Sequence, residues 1–254
     1  FMLKQARRSG GTIRGVLWYQ GESDAVNPEL AGEYEQKMLH FIDSVRKDLG
    51  QPELPFLLVQ IGRYCTVQRD RLRQGWDIIQ DTQRRLAERV QNVYVTTAVD
   101  VPLDDPIHVA SEGHQMLGER LFQLAMTYVY QRPGYARQIL PESIEKLEAS
   151  QVTNSPCTGG TQVWRLTFSG VSGTLSAKPS MTGFSVSQPD DTDKKVVLYR
   201  VQADPDNSAA VLLFMQAHKG VDPELKLSYA SGTHTFVNVA DELNMAVPAF
   251  GPVP

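Results

Sequence analysis

The sequence predicts an α/β chain, a parallel sheet layered between helices, followed by a small antiparallel β-sandwich. Three observations carry this. Up to about residue 135, short apolar runs alternate with amphipathic helical text. Those runs are apolar on both faces, which is how strands of a parallel sheet covered on both sides read. Past Pro133-Gly134 helical periodicity fades, and short alternating segments rich in Ser, Thr, Gly and Pro take over. The expected units are therefore residues 1–135 and 136–254.

The elements follow in order. Met2 to Ser9 reads as the end of a helix, closed by Gly10-Gly11. Ile13 to Tyr19 reads as a buried strand bounded by glycines. Leu30 to Leu49 is helical, with Tyr34, Met38, Phe41, Ile42 and Val45 on one face and Gly50 and Pro52 as the stop. Phe56 to Ile61 is a second strand and Val93 to Val99 a third. Between them Trp76 to Val90 is helical, with Ile78, Ile79, Leu86 and Val90 on one face. Glu112 to Tyr130 is a long last helix. In the second unit the expected strands are Gln162 to Phe168, Gly183 to Ser187, Lys195 to Val201, Ala209 to Phe214, Leu225 to Tyr229 and His234 to Asn238.

Composition narrows the function. The 254 residues are 41% hydrophobic and 21% charged with a net charge of -4, so the chain carries no electrostatic footprint for nucleic acid or an anionic membrane. Apolar stretches such as Pro55 to Ile61 and Leu121 to Tyr130 are too short to span a bilayer. Cys65 and Cys157 have no ligand cluster around them and make no zinc site.

In open α/β sheets, ligands bind beyond the carboxyl ends of the strands. After the first strand comes Gln20-Gly21-Glu22-Ser23: amide donors, a residue permitting close approach, and a carboxylate acceptor. A plain glycine turn with solvated neighbours is the alternative. After the third strand come Asp100, Asp104, Asp105-Pro106-Ile107 and His108. Pro106 stiffens the link, so the Asp105 carboxylate can meet His108 Nδ1 and leave Nε2 facing a cleft. The alternative is a loop acid beside an incidental histidine. Asp104, Asp105, His108 and His114 could ligate a metal, but no H-E-x-x-H or similar helical pair supports that. His40, His218 and His234 have no acidic partner at useful spacing. The arginines Arg69, Arg71, Arg73, Arg84, Arg85 and Arg89 could face an anionic substrate, or form a solvated helix face paired with acids.

Taken together, the two loops resemble a known family. Gly15 to Ser23 (G-V-L-W-Y-Q-G-E-S) resembles the G-V-x-W-Y-Q-G-E-S signature of sialate O-acetylesterases and related carbohydrate acetylesterases, members of the SGNH (GDSL) hydrolase superfamily. Asp105 to His108, with Gly113 and Leu117-Gly118-Glu119-Arg120-Leu121, resembles their catalytic D-x-x-H block and the helix after it. Phe236-Val237-Asn238, Leu243, Pro248 and Phe250-Gly251-Pro252 resemble the family's C-terminal β region.

The resemblance implies serine-type acyl transfer from an acetylated carbohydrate, with no cofactor and an extracytoplasmic location. His108 would be the general base, Asp105 its orienting acid, and Gln20 beside Gly21 an oxyanion donor. Glu22 would support the histidine or its loop. A positioned oxyanion donor is typically worth about 2.7–4 kcal/mol. The family nucleophile lies in an earlier G-D-S or G-Q-S motif, and the chain has neither tripeptide. Ser23 belongs to the later block and does not take that role. Residues 1–135 are thus expected to be the C-terminal part of an SGNH-hydrolase-like domain, with the serine upstream on a segment that would be a further partner. Loss of a triad serine costs about 10⁶ in kcat, so the chain alone is expected to be inactive. The competing class is a non-catalytic carbohydrate-binding or structural protein that keeps the hydrolase fold.

Overall fold

A computed structural model describes residues 5, 8, 10–67, 69–148, 152, 161–187, 196–217 and 225–253. The expected Met2–Ser9 helix end falls largely outside these residues, as do Cys157 and His218. Three strands, β1 (Val16–Tyr19), β2 (Phe56–Gln60) and β3 (Val93–Thr97), form a parallel sheet in that order. The crossovers are α1 (Pro28–Leu49) and α2 (Asp70–Arg89), which pack on each other, while α3 (Ser111–Leu124) follows β3. Strand alternation sorts the layers: Phe56 and Leu58 join the core under α1 and α2, whereas Leu57 and Val59 meet Leu124 and Leu117 of α3.

Local chemistry sets the helix ends. Asn27 caps α1 by accepting from the Leu30 N–H at 3.0 Å, with Pro28 in the first turn, and Tyr34, Met38, Ile42 and Val45 are its buried stripe. Helix α2 begins at Asp70, ahead of the expected Trp76. Its first turn is charged and exposed, so no apolar stripe announces it. Helix α3 gives way after Leu124 to a wider π turn, Ala125–Val129, in which the Tyr130 N–H reaches Ala125 O.

The two sheet edges differ. At β3 the Val95 N–H donates to Gln138 Oε1 at 2.9 Å, and Tyr94 stacks on Tyr128. At β1 no partner strand lies outside among the described residues, and Leu17 is 62% exposed. The expectation of strands buried on both faces therefore holds for β2 and fails for β1.

The antiparallel part comprises β4 (Leu140–Leu147), β5 (Thr161–Ser169), β6 (Phe184–Ser187), β7 (Val196–Asp204), β8 (Asn207–Ala217), β9 (Lys226–Tyr229) and β10 (Phe250–Val253). One sheet runs β4-β5-β8-β7 and the other β10-β9-β6. They face each other across a shared core that includes Phe168, Leu213, Tyr229 and Phe250. Residues 234–238, expected as a strand, form a loop. Side chains take the place of a ladder there: Thr235 Oγ1 donates to Ser231 O, and Asn238 Oδ1 accepts from the Thr182 N–H.

The same core continues into Leu57, Val99 and Leu124, so the two parts share one apolar interior. Buried polar groups pin the seam. Gln60 gives Nε2 to Ala249 O at 2.9 Å and takes the Ala249 N–H on Oε1 at 2.8 Å. Asp77 accepts from the Gly232 N–H at 2.7 Å and from Ser231 Oγ. Among the described residues no helix is long and apolar enough to cross a membrane.

Candidate active site

Because the three strands are parallel and in register, the residues following Tyr19, Gln60 and Thr97 leave the same end of the sheet. This brings three loops together at the carboxyl end. The first carries Gln20, Gly21 and Glu22, and the third carries Asp105 and His108. The second, Ile61 to Thr66, exits the middle strand. Its Cys65 N–H donates to Pro106 O at 2.7 Å, tying it to the Asp105–His108 turn. Cys65 is an exposed free thiol.

The β1 loop is held from below. Gln20 O accepts from Tyr34 Oη at 3.0 Å and from Gln83 Nε2 at 2.8 Å, and Gln83 Nε2 also reaches Tyr34 Oη. Burial pushes the Tyr34 phenol up to about 12, so it stays a donor at any working pH. Gly21 sits in a space too small for any side chain. A Cβ there would lie 2.9 Å from Ile79 Cγ2 and 3.0 Å from both Gln83 Nε2 and Ile61 Cγ2. Gly75 plays the matching part on α2, since a Cβ would drive into the Ala25 carbonyl of the same loop. The Gln20 amide donates to Asp24 Oδ2 at 2.7 Å, and Glu22 Oε2 accepts the Gly21 N–H at 3.0 Å.

The β3 loop is organised in two halves. Its base is buried: Arg120 of α3 grips Asp100 through two contacts of 2.7 Å and donates to Thr97 O and Asn244 O. Its tip holds itself. Asp105 Oδ1 accepts the N–H groups of Ile107 and His108 at 2.9 and 2.8 Å, and Oδ2 lies 2.6 Å from His108 Nδ1. The backbone donation from His108, then that from Ile107, then the imidazole hold the Asp105 carboxyl down at about 2. An ionised carboxylate only accepts, so Nδ1 is the donor of this pair and Nε2 is the ring nitrogen left outside it. The His108 side chain is 78% exposed and that of Asp105 48%.

The structure thus brings Asp105 and His108 into contact. It puts Gln20, Gly21 and Glu22 at the same end of the sheet, with no hydrogen bond or ion pair joining the two sets among the described residues. His40 is exposed beside Ser44, and His234 is exposed in the loop before Phe236. Among the described residues no three His, Cys, Asp or Glu side chains converge as metal ligands. Four of the α2 arginines are paired with acids: Arg71 with Glu29, Arg84 with Asp81 and Glu88, Arg85 with Glu35 and Asp81, Arg89 with Glu35. Sequence reading passed over Gln83 and gave Arg120 no role beyond its place in the helix that follows His108. A polar residue at helical spacing within the apolar stripe of Trp76, Ile79 and Leu86 was the signal for Gln83.

A family model described as "Carbohydrate esterase, sialic acid-specific acetylesterase" matches residues 1–127, half of the chain. A probable carbohydrate esterase of Arabidopsis thaliana is 34% identical over 124 residues, covering 47% of this chain and 43% of that protein. Among solved structures, a carbohydrate acetylesterase from Xanthomonas citri superposes with a TM-score of 0.70 at 19% identity, covering 94% of this chain and 50% of the other. That likeness is one of fold. The chain therefore spans no more than half the length of these relatives. Through its first 127 residues, the chain belongs to the carbohydrate esterase family of sialic acid-specific acetylesterases.

Proposed function

We propose that the chain is the part of a serine carbohydrate O-acetylesterase that carries the general base and the oxyanion loop. The observation that carries this reading is the Asp105–His108 pair, with Nδ1 held at 2.6 Å and the imidazole exposed. His108 Nε2 takes the proton of a serine hydroxyl as it attacks the acetyl carbonyl. Asp105 stabilises the imidazolium that forms, and His108 returns the proton to the departing sugar oxygen. Water, deprotonated by the same imidazole, then releases acetate. The Gln20 amide retains a second N–H beyond the one given to Asp24, and this donor faces the oxyanion. Glu22 fixes the loop by accepting the Gly21 N–H.

The serine comes from an SGNH-type strand laid parallel against the open edge of β1, next to Gln20. Support comes from the exposed Leu17 on that edge and from the missing G-D-S or G-Q-S motif in these 254 residues. In the full-length protein, His108→Ala is expected to cut hydrolysis of 4-nitrophenyl acetate about 10⁴-fold or more. Activity within tenfold of the parent would remove His108 from the mechanism. A coding sequence lacking such a motif after an apolar strand upstream would remove the nucleophile.

A further inference from the structure

The antiparallel part reaches the catalytic end of the parallel sheet through residues 231–235. Thr233, fully buried, accepts the Tyr64 N–H on its carbonyl. Tyr64 stands in the Ile61–Thr66 loop after β2, and that loop is joined in turn to the β3 loop. Arg63 Nη2 donates to Val101 O at 3.0 Å, and the Cys65 N–H donates to Pro106 O at 2.7 Å. Pro106 follows Asp105 in the turn that carries His108. A continuous line of hydrogen bonds and short covalent steps therefore runs from the antiparallel part to the Asp105–His108 turn.

Asp77 of α2 anchors that line. Its Oδ1 accepts the Gly232 N–H at 2.7 Å and its Oδ2 accepts from Ser231 Oγ at 3.1 Å, one and two residues before Thr233. Thr235 Oγ1 donates back to Ser231 O and closes the chain around Thr233. The base of the Ile61–Thr66 loop is held by the neighbours of Asp77 on the same helix: Trp76 Nε1 donates to Gly62 O at 2.8 Å and Gln80 Nε2 to Ile61 O at 3.0 Å. Its tip, Tyr64 and Cys65, has Thr233 on one side and Pro106 on the other, so the loop is a strut with residue 233 as its outer support. Half-burying a carboxylate on uncharged donors is costly, and burial pushes the Asp77 carboxyl up. An apolar side chain would fill the space at less cost, but it would not fix residues 231 and 232 with two directed acceptors.

We propose that Asp77 is a positioning residue of the active site: by fixing residues 231–235 it sets, through the Ile61–Thr66 loop, where the Asp105–His108 turn stands. The antiparallel part then serves the reaction as well as the core. Its bearing on the rate rests on the esterase reading above, whereas the placing of His108 does not. Asp77 touches no substrate and takes no proton in the reaction.

The test uses the full-length protein, 4-nitrophenyl acetate as substrate, and the ring resonances of His108 in protein labelled with 15N-histidine, identified by their loss in His108→Ala. Asp77→Ala is expected to lower kcat per folded molecule about 5- to 50-fold with KM within about twofold, and to shift the His108 signals. Asp77→Asn keeps an acceptor for the Gly232 N–H and should return kcat to within about threefold of the parent. Arg165→Ala is the control: it breaks the pair with Asp204 inside the antiparallel part and lowers stability without touching the strut. It should leave the His108 signals in place. Equal shifts and equal kcat in Asp77→Ala and Arg165→Ala would make Asp77 merely structural and overturn the proposal, as would His108 signals unmoved in Asp77→Ala. Should Asp77→Ala not fold, Ser231→Ala removes one of its two donors and should shift the same signals by less; no shift there also overturns it. If the parent hydrolyses nothing, the esterase reading fails, and the His108 resonances alone decide whether Asp77 places the turn.

Discussion

The two loops proposed to carry the chemistry are built in opposite ways. The β1 loop is fixed by the body of the protein: Tyr34 and Gln83 hold the Gln20 carbonyl, and Ile61, Ile79 and Gln83 leave room only for glycine at position 21. The tip of the β3 loop is held mainly by itself, through three contacts onto the single carboxylate of Asp105 with one tie from outside, Cys65 N–H to Pro106 O, and its Asp105 and His108 side chains stand open to solvent. An oxyanion donor works by being immovable, and its support comes from buried neighbours. A general base has to meet a serine, a leaving group and water in turn, so it needs a set tautomer and an open face. The difference in construction matches the difference in task.

The strongest way to break the contrast is at the buried base of the β3 loop. Arg120→Ala leaves the half-buried Asp100 without its partner and strips a donor from Asn244 O, and should cost about 3 kcal/mol, the lower end for a buried pair. Because Arg120 bridges the α/β and antiparallel parts, denaturant unfolding should show both losing stability together. Separate transitions would mean that the seam does not couple them.

A smaller effect sharpens it. Gly21→Ala places a methyl group among Ile79, Ile61 and Gln83 and should destabilise by about 1–3 kcal/mol, because a packed interior cannot give way freely. A single substitution to alanine at the other loop's tip, Asp104→Ala at an exposed side chain, should stay within about 0.5 kcal/mol. Equal effects from the two would erase the distinction between a supported loop and a self-held one.

Much of this was legible in the sequence, and the gaps have physical causes. Apolar runs marked β2 and β3 because both are buried on two faces. Gly50 and Pro52 marked the end of α1, whereas its start at Pro28, capped by Asn27, lies two residues before the expected Leu30. The first turn of α2 was invisible because Leu72 alone in it packs on the core, among exposed Asp70, Arg71 and Arg73. Strand β4 was missed because charged residues and a shifted register between Pro141 and Ser143 break its alternation. Strand β10 was missed because Phe250-Gly251-Pro252-Val253 reads as a turn, although a proline is tolerated on an edge strand. At the site, Asp105 and His108 are three residues apart and could be paired by eye. Gln83 lies 63 residues from the carbonyl it holds, and only the fold connects them.

The finest prediction concerns the Asp105 carboxyl itself. Its acceptors are filled by two backbone N–H groups and the imidazole, which favour the ionised form and hold it at about 2, below the ordinary 3.8. Between these values the unfolded chain binds more protons than the folded one. The turn's contribution to stability is therefore fully present above pH 4 and is lost as pH falls through about 2. Both side chains are exposed, so solvent screens the effect on overall stability and the carboxyl resonance is the place to look. An NMR titration should show a midpoint near 2. In His108→Ala the backbone donors remain and they are the larger cause, so the midpoint should rise without reaching the ordinary value. A parent midpoint near 4 would mean that the turn does not hold itself in solution, and that His108 is oriented by something other than Asp105.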